Sequence, residues 1–291
     1  MARRTEVAPG IVTIMVDHDS ADSIPAPEPS RRTGRGEPVL LLHGFVLTWQ
    51  SWEPIIEDLA RDHEVLALTL PGHWGGPAAQ RPATISALAD FVEACLDEVG
   101  WRTAHLVGNS LGGWLAFELA ARGRATTVTA IAPAGFWPDG LAAQSLIRKF
   151  RSFGPLVGLG TPNGRPVMPS MLRSLLVPLL AHRPAAVSNR LATAMSAAPG
   201  RCDIITDLAE DPSVPTGFTE LADLDIPVTV LLPEHDRILP PHFYAPNAFA
   251  NHPTTEVRPL PGVGHVPMLE APDLITAEVR ASMARAIRHV A

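Results

Sequence analysis

Two cysteines, one tyrosine and a single lysine, Lys149, are all that this 291-residue sequence holds of those residue types. Cys95 and Cys202 stand far apart with no paired spacing, which argues against a disulfide framework or a cysteine zinc site and suits a reducing compartment. Cys95 shares a helical face with Leu88, Val92 and Val99 and reads as a small buried apolar group. The near-absence of lysine, beside abundant alanine and proline, reads as compositional bias without functional content. No apolar run approaches the length of a membrane span. Arg3-Arg4 precede an apolar stretch that Pro9-Gly10 interrupts and Asp17 closes, too short for a secretory core, so a cytoplasmic location is expected. A formal charge of −7 argues against a nucleic-acid partner.

What is present is an ordinary globular composition, 46% hydrophobic and 18% charged, in a chain long enough for one large α/β domain with an insertion or two small domains. Short stretches at 39–42, 65–70, 104–107, 128–131, 228–232 and 256–260 predict strands, the first of them a continuous apolar run expected to be buried on both faces. Between them lie helical patterns at 52–61, at 85–99 with Thr84 as N-cap, after Ser110, and at 273–289. Such alternation predicts a mostly parallel sheet covered by helices on both faces. The rhythm breaks between Gly135 and Pro227, where short helical patterns interrupted by proline and glycine predict an inserted helical segment. Residues 1–36 contain one possible strand, 11–16, followed by a polar, proline-rich stretch.

Ligands of open parallel sheets bind beyond the carboxyl ends of the strands. Polar residues follow predicted strands at His43-Gly44-Phe45, Ser110, Asp236 and His265. Ser110 sits in GNSLGG, where Gly108 and Gly112 permit a tight strand-to-helix turn that projects a hydroxyl clear of its own backbone. A serine needs a base to become a nucleophile. His265, in a turn-rich loop after the last strand, is the favoured base over His235, His242 and His252. A base histidine needs an orienting acid, for which Asp236 is favoured over Asp139 and Glu234.

The order Ser110, Asp236, His265 is one used by a single fold among several that converged on this triad. LLLHGF at 40–45, LPGHWGG at 70–76, GNSLGG at 108–113, PEHDRILP at 233–240 and GVGHVPMLEAP at 262–272 together resemble the motifs of the α/β-hydrolases, with Trp74 where many members have glycine. The resemblance covers roughly residues 38–135 and 220–289. It implies a mostly parallel, eight-stranded-type sheet with helices on both faces, a core of residues 37–135 and 221–291, a helical cap at 136–220, and a separate N-terminal segment 1–36. It further implies an oxyanion hole from the backbone N–H groups of Phe45 and Leu111. The serine sets the chain apart from members with an aspartate nucleophile, the haloalkane dehalogenases and epoxide hydrolases.

The expected activity is acyl transfer to water with no metal or organic cofactor, on a small-molecule substrate. Apolar residues of the cap segment (Leu146, Phe150, Phe153, Met168, Met171, Leu175, Leu176, Leu179), with Trp137 and Val266 as candidate pocket lining, point to a small or medium apolar ester. Two other readings stay open. Asn109 beside the serine is shared with relatives that hydrolyse a carbon–carbon bond of a vinylogous diketone acid, for which Arg148, Arg173 or Arg190 would bind the carboxylate. Other members of the fold bind ligands without turnover.

Overall fold

Alternating burial along Val39-Leu40-Leu41-Leu42 sets the architecture: Leu40 and Leu42 face one hydrophobic core, Val39 and Leu41 the other. The computed structural model describes residues 26–153, 169–250 and 252–286. Among them run seven strands, β1 (Ser30–Gly34), β2 (Glu37–Leu42), β3 (His63–Leu68), β4 (Ala104–Asn109), β5 (Ala125–Ile131), β6 (Val228–Pro233) and β7 (Thr255–Leu260). They form one sheet in the order β1-β3-β2-β4-β5-β6-β7, parallel throughout except for β1 against β3.

Helices α1 (Glu53–Leu59) and α9 (Pro272–Met283) cover one face, with Ile55, Ile56 and Leu59 packed in the same core as Ile275, Val279 and Met283. Helices α2 (Ile85–Glu98) and α3 (Leu111–Ala121) cover the other through Leu88, Val92, Leu96, Trp114, Phe117 and Leu119. Each fully buried side chain of this size removes apolar surface worth roughly 1.5–3 kcal/mol. Thr84 caps α2 as expected, its hydroxyl accepting from the Ala87 N–H at 3.1 Å. Helix α3 is buried on nearly every side rather than along one stripe, because it lies beneath further chain as well as on the sheet.

The segment between β5 and β6 is helical and contains no strand among the described residues: α4 (Gly140–Phe153), α5 (Pro169–Leu180), α6 (Asn189–Ala197), α7 (Ile205–Glu210) and α8 (Ser213–Thr216). Trp74 packs beneath the Arg201 guanidinium of this segment, 4.9 Å from the ring centroid.

Two expectations meet differences. Seven strands are seen among the described residues rather than eight, and the candidate strand 11–16 lies outside them. The polar stretch before residue 37 yields a strand, β1, that periodicity could not reveal. SRRTG has no apolar alternation because β1 is an edge strand, its arginines partnering Glu57 and Glu64 and lying over the rings of Trp49 and Trp101. No helix among the described residues is long and apolar enough to cross a membrane.

Candidate active site

The carboxyl ends of β2, β4, β6 and β7 bring four loops to one edge of the sheet. At the end of β4 the chain turns directly into α3. A Cβ on Gly108 would lie 2.1 Å from the Gly112 carbonyl oxygen, and one on Gly112 would lie 2.1 Å from that of Leu42, so strand, helix and neighbouring strand touch backbone to backbone. Ser110 between them adopts φ 54° and ψ −113°, a conformation that L-residues hold only under constraint. The constraint is visible: its N–H donates to Ile131 O, and its carbonyl accepts from Trp114 and Ala134. The hydroxyl makes no capping bond to α3.

His265 lies between β7 and α9, Asp236 just after β6, and the His265 Nδ1–H donates to Asp236 Oδ2 at 2.7 Å. The other oxygen, Oδ1, accepts the Ile238 and Leu239 N–H groups at 2.8 and 2.7 Å. Burial pushes the Asp236 carboxyl up, but His265 and the two backbone donors outweigh it and hold the group below the usual aspartate range. With Nδ1 donating, Nε2 is the nitrogen left to accept a proton.

The competing acids and histidines are engaged elsewhere. Asp139 caps α4 through the Ala142 N–H, and Glu234, largely exposed, accepts from Gly262. His235 stacks on His182 at 3.8 Å, His242 packs on Phe243, and His252 meets the hydroxyls of Thr254 and Thr255.

Asn109, one residue before the serine, donates from Nδ2 to Ile131 O at 3.2 Å and to His265 O at 2.9 Å, tying the turn to the histidine loop. His43 ties the loop after β2: its Nδ1–H donates to Gly44 O at 2.8 Å while Nε2 accepts the Leu70 N–H at 2.9 Å. Burial, with His73 close by, lowers its pKa well below the ordinary value, so the ring is neutral. His73 is likewise buried, its pKa lowered to about 4, and meets His43 and Phe45 edge to face. These rings fix the loop in which Phe45 precedes Val46, whose φ is 59°.

Ser110 and His265 open into one cavity of about 110 Å³. Its wall includes Phe45, Leu111, Trp114 and Trp137, with Leu146, Ile147 and Phe150 of α4, and Ile205 and Leu208 of α7. Among the described residues, Ser110 and His265 are the only lining groups able to act as nucleophile or base. Trp137 is among the residues that line the cavity. Val266 does not line the cavity: it is fully buried in the core shared with α1 and α9, with its N–H donating to Leu180 O.

Of the apolar residues read from the inserted segment, Leu146 and Phe150 face the cavity, Leu176 is half-buried and Leu179 is exposed. The side chains of Phe153, Met168, Met171 and Leu175 lie outside the description. Cys95 is only half-buried, and burial pushes its thiol to about 11 and that of Cys202 to about 12. Neither is poised as a nucleophile.

Glu270 lies inside GVGHVPMLEAP, where nothing in the sequence distinguishes it from a surface glutamate. The structure places it wholly inside, bound to three backbone N–H groups.

The chain is 38% identical over 208 residues to a Mycobacterium tuberculosis protein named epoxide hydrolase EphH, covering 70% of this chain and 97% of that one. It is 31% identical over 216 residues to a pimeloyl-[acyl-carrier protein] methyl ester esterase of Neisseria meningitidis, covering 70% and 77%. Several other relatives are matched over only about a third of their own length. Among solved structures, the esterase RhEst1 from Rhodococcus sp. superposes with a TM-score of 0.70 at 24% identity, over 88% of this chain and 94% of that one. A model of the alpha/beta hydrolase family runs from residue 39 to residue 278, through the carboxyl ends of β2, β4, β6 and β7, and the chain belongs to that family.

Proposed function

We propose that this protein is a serine hydrolase that cleaves a small or medium apolar carboxylic ester through an acyl-enzyme, with Ser110 as nucleophile, His265 as base and Asp236 as orienting acid. The observation that carries this reading is the apolar cavity into which Ser110 and His265 both open, backed by the 2.7 Å bond from His265 to Asp236. Residues 136–220 act as the cap over that cavity.

In the reaction, His265 Nε2 takes the Ser110 proton as Oγ attacks the ester carbonyl. The oxyanion forms against the N–H groups of Phe45 and Leu111, the latter at the N-terminus of α3 where backbone donors lack intrahelical acceptors. Each such donor contributes roughly 3–4 kcal/mol in comparable serine enzymes. The C–O bond breaks, the alcohol leaves with the proton from Nε2, and water repeats the sequence to release the acid.

Substrate class follows from the wall. A carboxylate-bearing diketone needs a cation, yet Arg148 is exposed and Arg190 pairs with Glu53 at 2.5 Å, while the side chain of Arg173 lies outside the description. The described lining contains no aspartate, glutamate, lysine or arginine side chain. An epoxide is disfavoured on chemical grounds. Opened by a serine oxygen, it gives an ether with no carbonyl for water to attack, whereas an aspartate would give a hydrolysable ester.

The test combines fluorophosphonate labelling with turnover of nitrophenyl esters of increasing acyl length, a ring-fission diketone and an aryl epoxide. Labelling of Ser110 and turnover of the shorter esters support the reading. Turnover of the diketone or the epoxide alone overturns the substrate class, and an unlabelled serine in folded protein favours a non-catalytic binder.

A further inference from the structure

We propose that Glu270 is a positioning residue for His265, through which the end of α5 in the inserted segment holds the general base in register. The inference rests on the catalytic reading of His265 given above. The Glu270 carboxylate is 0% exposed. Its Oε1 accepts the Gly264 N–H at 2.7 Å and the His182 N–H at 2.9 Å, and Oε2 accepts the Arg183 N–H at 2.6 Å. One donor thus precedes His265 directly, while the other two lie just beyond α5. The Arg183 guanidinium closes the arrangement, with Nη2 donating to Glu270 O at 3.3 Å and Nε 3.6 Å from Oε2.

The same stretch of chain meets both catalytic loops. The Val266 N–H donates to Leu180 O at 2.8 Å, and Arg237, next to Asp236, donates to Pro178 O at 3.1 Å. The His182 ring stacks on His235 at 3.8 Å. A Cβ on Gly264 would lie 2.7 Å from the His182 nitrogen, so the two backbones are in direct contact. The peptide units around His265 are therefore pinned on one side by Asn109 and on the other by residues 180–183, with Glu270 as the charged link.

A carboxylate suits this position for a definite reason. It is acceptor-only, and three N–H donors converge on it in a dry interior. Glutamine would offer one oxygen and turn an NH2 group toward N–H donors. Its oxygen would stay with the Gly264 and His182 donors and the mismatch would fall on the Arg183 N–H. Residues 182–183 would then move off the side chain, slackening their hold on Gly264 and shifting the imidazole relative to Ser110, and a displacement of about 1 Å at a reacting group costs on the order of a hundredfold in rate.

The experiment is Glu270→Gln, read by kcat and KM separately on a short-chain nitrophenyl ester, with fluorophosphonate labelling of the unaltered protein alongside. The expected result is a fall in kcat of about a hundredfold with KM within about twofold. An unchanged kcat, or a rise in KM alone, overturns the role of Glu270 while labelling of the unaltered protein leaves the catalytic reading intact; absent labelling overturns both. Hydrogen exchange on the unaltered protein gives a second reading should the variant not fold. The Gly264, His182 and Arg183 amides, all in loops, are expected to exchange as slowly as strand amides and with one common rate, and fast or unrelated exchange at these three overturns the proposal.

Discussion

His265 and Asp236 meet at 2.7 Å, and the carboxyl oxygen that does not touch the imidazole is occupied by the Ile238 and Leu239 N–H groups. That division of labour fixes which way an amide would sit in its place. In Asp236→Asn the carbonyl oxygen keeps the two backbone donors, so Nδ2 faces His265 and drives its proton to Nε2. The base then has no lone pair for Ser110. The expected loss is about 10⁴-fold in kcat with the fold retained, measured by ester turnover beside circular dichroism.

Ser110, the proposed nucleophile, also carries backbone strain, with φ 54°. Ser110→Ala and Ser110→Gly both remove the hydroxyl and are expected to be inactive. They differ in backbone freedom, so the glycine variant should be the more stable by about 1 kcal/mol. Urea denaturation of the two reads the strain directly, and equal midpoints would show that none is stored there.

The glycines beside it make the opposite case. Gly108→Ala places a methyl against the Gly112 carbonyl, a contact between two buried backbones that neither can leave. A loss of more than about 3 kcal/mol, or failure to fold, is expected. Gly123→Ala is the comparison: φ is +75° but the space around it is open, so the cost is only about 1 kcal/mol. Thermal melts of both separate steric from conformational cost.

The sheet was legible because strands buried on both faces are rich in apolar residues, unbroken at 39–42 and interrupted only by His105 at 104–107, and the three side chains of the site follow predicted strands. What stayed hidden has physical causes too. Strand β1 is held by backbone pairing and arginine stems, which leave no apolar period. Glu270 looks like any surface glutamate until its three donors, from positions 182, 183 and 264, are brought around it. Val266 sits next to the base in sequence, yet the turn sends its side chain into the opposite core.

Acid sensitivity follows from the buried imidazoles. Burial lowers the His73 pKa from its model-compound value of 6.5 to about 4, and His43 is lowered as well. Between pH 6.5 and 4 the unfolded chain therefore binds more protons than the folded one, and stability falls as pH falls through that window. His73 alone accounts for roughly 3 kcal/mol between the two limits. Denaturant midpoints at pH 7, 5.5 and 4.5 should decline in that order, and His73→Gln should flatten the slope. A midpoint independent of pH would contradict the buried neutral state.

Phe150 is the residue expected to limit acyl length if the proposed ester is the substrate. Its ring meets Phe45 edge to face at 5.1 Å, joining α4 to the loop that carries the proposed oxyanion donor, and both rings line the cavity. At about 110 Å³ the space is smaller than the roughly 150 Å³ apolar cavity that admits benzene. Phe150→Ala removes a wall without removing a polar contact, since none of the hydrogen bonds described above involves this side chain. A methylene gained in an apolar pocket is worth about 1–3 kcal/mol, so kcat/KM for an octanoyl ester should rise at least tenfold while that for an acetyl ester falls slightly. Trp137 is the less suitable test, because its indole N–H donates to Val214 O at 2.8 Å and its removal would loosen α8 together with the pocket. A chain-length profile that keeps its optimum in Phe150→Ala would mean that the acyl group lies elsewhere along the wall, against Trp114 and Trp137, whose rings meet at 6.0 Å.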